Sequence, residues 1–598
     1  MAKKEKKEKK SAWHNLVRVL TFLWSDEPSL RIRLFMSFVF ALLSLLINVS
    51  IPLFLKHAVD ILSVPSAKHM ILIALGTYSF IWSLSMVMIP IRELFVFRVI
   101  FYGSRVFVGT LFRHLHTLSQ RFHVEKSTGA ILNIIERVPR ALPDIVWGVF
   151  LMIVPVLLEI LVSIGILWWM YGFVYGLLLF VMLIVYIVFS YYAIEWSIVS
   201  QRKYNEIRKK TSSRIVDSLL NFETVKYFAN HDFEFESCNQ LLKAEEVAGT
   251  ERYIRSELVN VGQGIVVGIG FTIFNIISGY AVYNHTHTIG DFIAINSYVL
   301  QCMLPLGSFG YVFRRLRESL ADLEHVFDLL DQKSEIADVP FAIDLWVDTP
   351  TIEFSHVSFG YDKRRIVLDD ISFFVPAGKT VAFVGATGSG KSTIVKLLFR
   401  FYDVQAGSIK ISGHDIRFVT QKSLQKAIGI VPQETALFNT TLYNNLMYAR
   451  PTATMDEVND AITKAHLKDF IEKQPDGYAT MIGERGLKIS GGEKQRISIA
   501  RVLLKEPAIY VFDEATSALD TKTEKQIQKN LEELSTGKTT LIIAHRLSTV
   551  THADIIIVFD KGKIAEQGSH EELLIKDGMY ARLWNQQNKI RKKELKDI

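Results

Sequence analysis

Residues 385–393 read Gly-Ala-Thr-Gly-Ser-Gly-Lys-Ser-Thr, between an apolar run at 381–384 and an amphipathic stretch at 394–398. The run suits a buried strand and the stretch suits a helix, so the nine residues are predicted to be a phosphate-binding loop. The glycines let backbone N–H groups close around a polyphosphate, and the helix N-terminus adds a favourable dipole. An ordinary glycine-rich turn is the alternative, and the complete pattern with both flanks argues against it. We expect the nucleotide to be held by Gly385, Ala386, Thr387, Gly388, Ser389, Gly390, Lys391, Ser392 and Thr393, with Lys391 at the β- and γ-phosphates and Ser392 on Mg²⁺.

The composition indicates two halves of different kind. The chain has 598 residues, of which 49% are hydrophobic and 22% are charged. This combination is unusual for one soluble domain and suits a membrane half joined to a soluble half. The two cysteines, Cys238 and Cys302, form no disulfide framework and no metal-binding spacing. We predict a basic N-terminal tail at 1–30, a six-helix transmembrane domain at 31–320, a linker at 321–350 and a nucleotide-binding domain at 351–598.

Six apolar stretches are each near the roughly 20 residues that a bilayer core requires. The alternative is that these stretches are core helices of a large soluble protein. Their length and their lack of charge argue against this alternative. The expected spans lie at about 34–55, 71–91, 145–170, 173–195, 258–283 and 288–313.

Charge placement predicts the orientation of these spans. Lysine and arginine concentrate in the N-terminal tail and in the segments between spans two and three and between spans four and five. The connections at 171–172 and 284–288 are short and carry no lysine or arginine. The basic segments are therefore expected on the cytoplasmic side, together with the nucleotide-binding domain. We expect a multi-pass protein of the bacterial inner (plasma) membrane, because the tail resembles neither a signal peptide nor a mitochondrial import sequence.

The two long basic segments are predicted to continue the membrane helices into the cytoplasm. Each has a pattern typical of a short break at its far end, around 127–129 and 221–223. Helices of this length would project well beyond the bilayer and could transmit the motion of the nucleotide domain. Two solvated helical hairpins without such a role are the alternative.

Two further motifs extend the nucleotide site. Asp513 and Glu514 end an apolar strand, where Asp513 would hold Mg²⁺ through water and Glu514 would polarise the attacking water as general base. Ser490, Gly491 and Gly492 open a helix and present a second phosphate-binding surface. Because the first loop already cradles the phosphates, this second surface requires another ATP or another copy of the chain.

Taken in order, these motifs resemble those of ATP-binding cassette transporters, together with 517–520 (Ser-Ala-Leu-Asp). The resemblance implies that adenine stacks on Tyr361, that Gln433 contacts Mg²⁺ and senses the membrane domain, and that His545 is the switch histidine at the γ-phosphate. The stretch 483–486 matches a loop confined to exporters, and Ile489 replaces the usual leucine, a packing position. The implied fold is an all-α six-span membrane domain with long cytoplasmic helix extensions, fused to an α/β P-loop cassette.

The resemblance also implies how the parts work. Six spans with one cassette make half of a transporter, so a homodimer is expected, with ATP and Mg²⁺ as cofactors and membrane lipids around it. Two cassettes would close head to tail around two ATP molecules, and hydrolysis would reset the membrane cavity. No nucleic-acid partner is expected.

Within exporters, 217–228 and 305–307 resemble the mitochondrial iron–sulfur-linked exporters and their bacterial heavy-metal-tolerance relatives. That group handles glutathione, its disulfide and related conjugates, which implies a glutathione-like small molecule as substrate. Polar groups inside a membrane span are costly and suggest a functional site, although hydrogen bonding between helices is an alternative. The expected substrate-binding residues are Asn260, Gln263, Gln301 and Gly307.

The chain departs from this group at two positions. The group carries two arginines, one helical turn apart, near the cytoplasmic end of span four, where they suit glutathione carboxylates. An ungapped alignment puts Ser197 and Gln201 at those positions, and Arg202 points about 100° away from Gln201 on a helix. Three functions therefore remain: an ATP-driven exporter of thiol conjugates, a lipid or multidrug exporter of the same architecture, and a channel or regulator gated by ATP. The intact Glu514 and signature motif argue against the third.

Overall fold

The computed structural model describes residues 17–19, 21–22, 24, 27–62, 68–126, 128–362, 365–483, 489–513, 529, 533, 535–544 and 547–594. Two compact units make up the chain. The first comprises Met1–His116 and Lys126–Lys333, and the second comprises Thr117–Glu125 and Ser334–Ile598. The short piece Thr117–Glu125 thus belongs to the second unit, although both of its flanks in the sequence belong to the first.

Among the described residues between Pro28 and Leu330, all regular structure is helical. In chain order they are α1 (Pro28–Leu62), α2 (Lys68–Leu115), α3 (Gln120–Glu125), α4 (Thr128–Val146), a π-helical segment (Trp147–Ile153), α5 (Val154–Tyr171), α6 (Phe173–Leu220), α7 (Phe222–Tyr227), α8 (His231–Tyr283) and α9 (Ile289–Leu330). Only α3 lies in the second unit.

Six stretches of helix in the described residues are long and apolar enough to cross a membrane. The predicted number and positions of the spans are therefore confirmed. An α-helix satisfies its backbone hydrogen bonds within itself, which is why apolar stretches of this length fold as helices in lipid. The third span, Thr128–Tyr171, runs through α4, the π-helical segment and α5.

Several of these helices are much longer than a bilayer core is thick. The helices α2 and α6 have 48 residues each and α8 has 53, so they extend to about 70–80 Å at 1.5 Å per residue. At the far end, α6 stops at Asn221, and the short α7 leads to the start of α8, which confirms the predicted break at 221–223. Near the other predicted break, around 127–129, the helical structure is interrupted before α3 and again after it.

Tyrosine hydroxyl groups connect helices inside the first unit. Tyr298 is fully buried, and its hydroxyl donates to the carbonyl oxygen of Val49 on α1 at 2.8 Å. The Tyr186 hydroxyl on α6 donates to the carbonyl oxygen of Leu306 on α9 at 2.7 Å. Because a buried hydroxyl without a partner is costly, these bonds favour one mutual arrangement of the helices.

The second unit is an α/β domain with two sheets. Its strands are β1 (Ile352–Phe359), β2 (Leu368–Val375), β3 (Thr380–Gly385), β4 (Ala406–Ile411), β5 (His414–Asp415), β6 (Ile428–Val431), β7 (Ile509–Asp513), β8 (Thr539–Ile543), β9 (Ile555–Asp560) and β10 (Lys563–Gly568). The antiparallel sheet has the order β2-β1-β4-β5. The larger sheet has the order β10-β9-β3-β8-β7-β6, in which every pair except β10–β9 is parallel.

Short helices cover the sheets of the second unit. They are α10 (Lys391–Leu398), α11 (Gln421–Ala427), α12 (Leu442–Met447), α13 (Met455–Lys464), α14 (Lys468–Glu472), α15 (Gly491–Lys505), α16 (His570–Ile575) and α17 (Met579–Glu594). This architecture confirms the predicted fold class. Helix α9 ends at Leu330, within the stretch 321–350 that is expected to be a linker.

Candidate functional site

The glycine-rich loop connects β3 to α10 and needs glycine at three positions. Gly385, Gly388 and Gly390 have φ angles of 148°, 82° and 106°, in the region that disfavours side chains. A Cβ atom at Gly385 would come within 2.3 Å of the carbonyl oxygen of Phe559. The loop therefore keeps its shape only with glycine, which leaves backbone N–H groups free to converge on an anion.

Lys391 and Ser389 give the loop its polar interior. The Lys391 side chain is buried, and its ammonium group donates to the carbonyl oxygens of Gly385 at 2.8 Å and Ala386 at 3.0 Å. The buried hydroxyl oxygen of Ser389 has no hydrogen-bond partner within the described part of the chain. A phosphate in the loop would accept from both groups, so these residues fit the nucleotide that the sequence predicts.

The oxygen donors expected for Mg²⁺ lie at strand ends and at a helix start. Asp513 ends β7, and Gln433 follows β6, the strand paired in parallel with β7. Ser392 lies in the first turn of α10, with an exposed side chain. Carboxylate, amide and hydroxyl oxygens are ligands that Mg²⁺ accepts, and the carboxyl ends of parallel strands share one edge of the sheet. The donor set therefore fits the ion.

Tyr361, where adenine is expected to stack, is fixed within an aromatic cluster. Its ring packs edge-on against Phe359 and Tyr402, with ring centroids 5.2 Å apart in both cases. Its hydroxyl lies 3.2 Å from the Thr393 hydroxyl in the first turn of α10. The Lys396 ammonium group lies 5.3 Å from the centroid of the Tyr361 ring. The ring is thus tied directly to the helix that follows the glycine-rich loop.

Arg121 on α3 is a residue that the sequence analysis missed. Its guanidinium donates to the carbonyl oxygen of Tyr361 at 3.0 Å and pairs with Glu335 at 3.3 Å. All three residues belong to the second unit. Burial raises the pKa of the neighbouring Tyr402, and the positive charge of Arg121 opposes this increase. The only signal in the sequence is a basic residue on a short helix between two breaks, which does not identify its partner.

The signature motif starts α15, as predicted. Ser490 is the N-cap residue, and its hydroxyl oxygen accepts from the backbone N–H of Glu493 at 3.4 Å. Ser490 and Gly491 are exposed, whereas Gly492 is buried. Ile489 packs against the core that includes the buried face of α15, which confirms the packing role expected for this position. The exposed helix start leaves Ser490 and Gly491 accessible to a ligand.

Arg501 links α15 to the segment that follows Gln433. Its side chain donates to the carbonyl oxygen of Asn445 at 2.6 Å, to the amide oxygen of the same residue at 2.6 Å, and to the carbonyl oxygen of Ala436 at 3.0 Å. Burial lowers the pKa of Arg501. The helix that begins with the signature motif therefore holds the segment that is expected to sense the membrane domain.

Some of the predicted residues cannot be located. Glu514 and His545 lie outside the described residues, and so do 484–486 of the exporter loop and 517–520. Their expected roles, including the general base, stay predictions.

The structure separates the four expected substrate residues into different environments. Asn260 is exposed on α8 and donates to Glu257 at 3.3 Å. Gln263 is buried and donates to the Ser190 hydroxyl on α6 at 2.8 Å, the helix-to-helix bond considered as the alternative. Gln301 on α9 donates to the buried Glu159 on α5 at 2.5 Å. Gly307 on α9 is exposed, and a Cβ atom there would meet nothing within 4 Å.

Comparisons with known proteins cover nearly the whole chain. The family model described as "ABC transporter transmembrane region" matches residues 34–306, and the one described as "ABC transporter" matches residues 368–517. The chain is 38% identical to the ATM1-type heavy metal exporter of Novosphingobium aromaticivorans over 96% of this chain and 95% of that protein. It is 37% identical to Heavy metal tolerance factor 1 of Caenorhabditis elegans, over 97% of this chain and 74% of that protein. A solved structure of a bacterial Atm1-family ABC exporter with ATP bound matches with a TM-score of 0.85 and 38% identity, over 94% of this chain and 99% of that one.

Proposed function

Because this chain belongs to the Atm1-type ATP-binding cassette half-transporters, we propose that it works as a homodimer that exports glutathione-related or metal–thiol conjugates from the cytoplasm. It is a multi-pass membrane protein with a cytoplasmic ATP-binding domain, and it hydrolyses ATP to drive export. The nature of the cargo and the pairing with a second copy are the parts that we propose.

In this proposal the residues predicted from the sequence divide the work of binding and hydrolysing ATP. The N–H groups of 385–393 and the ammonium group of Lys391 hold the phosphates, and Tyr361 stacks on adenine. The oxygens of Ser392, Gln433 and Asp513 hold Mg²⁺, which when bound neutralises charge on the phosphates. Glu514 polarises the attacking water, and His545 contacts the γ-phosphate.

The homodimer is supported by the composition of the chain and by the signature motif. The chain matches one transmembrane region and one cassette, which is half of a complete transporter. Ser490 and Gly491 are exposed at the start of α15. In a head-to-tail pair, these groups would complete the ATP site of the partner chain.

The observation that carries the substrate proposal is the 38% identity to a heavy metal exporter over 96% of this chain. Soft thiolate ligands bind soft metal ions, so a metal–thiolate complex is a reasonable form for the cargo of such an exporter. ATPase stimulation of the full chain in lipid nanodiscs tests this assignment. We expect stimulation by glutathione disulfide or metal–glutathione complexes, and the absence of stimulation by all of them would exclude the class.

A lipid or multidrug exporter of the same architecture is the second candidate. The observation that favours it is the lack of arginine at Ser197 and Gln201, where the related exporters carry the charge that suits carboxylates. In the same nanodisc assay, this candidate predicts stimulation by neutral amphiphiles and none by glutathione disulfide.

A further inference from the structure

Arg252 on α8 brings a guanidinium group to Gln201, one of the two positions where arginine is missing. Its Nη1 atom lies 3.4 Å from the side-chain oxygen of Gln201 on α6 and donates to it. The Gln201 amide nitrogen in turn donates to Asn205 at 2.9 Å. A positive charge is therefore present beside Gln201, and α8 supplies it in place of α6.

The Arg252 guanidinium has unused hydrogen-bonding capacity. Its Nε atom is buried and has no hydrogen-bond partner in the part of the chain that the structure describes. No described carboxylate lies within 4.0 Å of its nitrogen atoms. The side chain is half-buried, and its buried Nε donor has no partner, which is costly by itself; an anionic ligand that accepts from Nε would remove this cost.

The neighbouring charges leave this region positive. Glu251 accepts from Arg255 at 2.8 Å and from Lys203 at 3.0 Å, so a single carboxylate serves two cations that do not include Arg252. Arg255 also lies over the ring of Trp196, 5.1 Å from its centroid. With Arg208 over the Tyr204 ring and Glu245, which accepts from the Tyr204 hydroxyl at 3.5 Å, the described groups at and around Arg252 include four cations and two anions.

Arg252 is also held in a fixed orientation. Its guanidinium carbon lies 4.8 Å from the centroid of the Tyr204 ring, within the range of a cation–π contact. A planar guanidinium that is stacked in this way loses little conformational freedom when it binds a carboxylate with two parallel hydrogen bonds. Arg252 precedes Asn260 by two helical turns, which is about 12 Å along α8 and close to the roughly 10 Å length of an extended tripeptide.

We propose that Arg252 is a specificity-determining residue that binds a carboxylate of the transported molecule and replaces the arginine absent at Gln201. This assignment rests on the proposed thiol-conjugate function. It accounts for the departure at Ser197 and Gln201 without a change of substrate class, because α8 supplies a cation beside Gln201.

The test compares a ligand that carries carboxylates with its ester, in which the carboxylates are blocked and the ammonium groups remain. Equilibrium binding of glutathione disulfide and of its fully esterified form is measured on the full chain in nanodiscs, without nucleotide. The variants are Arg252→Gln, Arg208→Gln, and the exchange that combines Gln201→Arg with Arg252→Gln. Arg208 is a matched control, because it is an exposed arginine over the same Tyr204 ring, at 5.9 Å, without a bond to Gln201.

We expect Arg252→Gln to weaken binding of the acid roughly 10- to 100-fold, the loss of one charge-assisted hydrogen-bonded contact, with little change for the ester. Arg208→Gln should leave the ratio of the two affinities unchanged, and the exchange should restore the preference for the acid. A residue that only joins α6 to α8 would change both affinities together.

Two results would overturn the assignment while the proposed function stands. One is an equal effect of Arg252→Gln on the acid and the ester, and the other is an effect on the acid no larger than that of Arg208→Gln. If Arg252→Gln fails to assemble, the variant that combines Gln201→Arg with Arg252→Gln is used in its place. The assignment is also overturned if that variant assembles but does not bind glutathione disulfide in preference to its ester. Wild-type protein that binds neither glutathione disulfide nor its ester would instead refute the thiol-conjugate function, and the role of Arg252 with it.

Discussion

Replacing Arg121 by methionine should weaken ATP binding, although α3 precedes the first residue of β1 by more than 200 positions in the chain. The change removes the hydrogen bond to the carbonyl oxygen of Tyr361 and the ion pair with Glu335. The two paired side chains are 39% and 50% exposed, so the ion pair contributes about 0.2–1 kcal/mol. The hydrogen bond is partly buried and contributes about 1 kcal/mol, less than is usual for a charged donor because Arg121 is partly solvated.

This loss acts on the backbone that carries the expected adenine platform. If the full 1 kcal/mol is lost from the bound state, the dissociation constant for ATP rises roughly fivefold. Binding of a fluorescent ATP analogue and the KM for ATP, both measured in nanodiscs, report this change. Glu335→Gln is the matched control, because it removes the ion pair and keeps the bond to Tyr361. Equal effects of the two substitutions, or an unchanged dissociation constant in Arg121→Met, would refute the reasoning.

Three further predictions concern hydrolysis, assembly and cargo. Glu514→Gln should keep ATP binding and abolish turnover, whereas Lys391→Ala should weaken nucleotide binding itself; ordinary ATPase activity in the first variant would exclude Glu514 as the base. Mixing Lys391→Ala chains with Ser490→Arg chains should give partial ATPase activity that neither pure variant has, because one composite site in each mixed dimer is intact; no recovery in proven mixed dimers would contradict independent composite sites. Combining Asn260→Ala with Gln263→Ala should lower the apparent affinity for glutathione disulfide, measured from its stimulation of ATPase activity, by up to about tenfold, the cost of a lost hydrogen bond. An unchanged response would count against both residues as ligands.

The parts of the site that depend on local pattern could be predicted from the sequence. The glycine-rich loop needs a strand, three glycines and a helix in succession, and each of these features is visible within about 20 residues. Ser490 as a helix cap and Asp513 as a strand end follow from the same short-range rules. The six spans follow from length and apolar character alone.

Contacts between distant segments could not be predicted in this way. A helix that is apolar on every side does not indicate which face meets a neighbour, so nothing in the sequence distinguishes the buried Gln263 from the exposed Asn260. A comparison of one position at a time detects the missing charge at Gln201. It does not detect the contact between Arg252 and Gln201, because Arg252 lies on another helix and 51 positions away in the chain.

The membership of Thr117–Glu125 in the second unit has a practical consequence for work with isolated or recombined domains. A cassette excised at Ser334 would lose α3, and the carbonyl oxygen of Tyr361 would exchange its arginine donor for water. Nucleotide affinities measured on such a fragment should therefore underestimate those of the whole chain. For the same reason, a chimera that takes its cassette from one half-transporter and its membrane helices from another must carry residues 117–125 with the cassette, as a graft placed far upstream of the main junction.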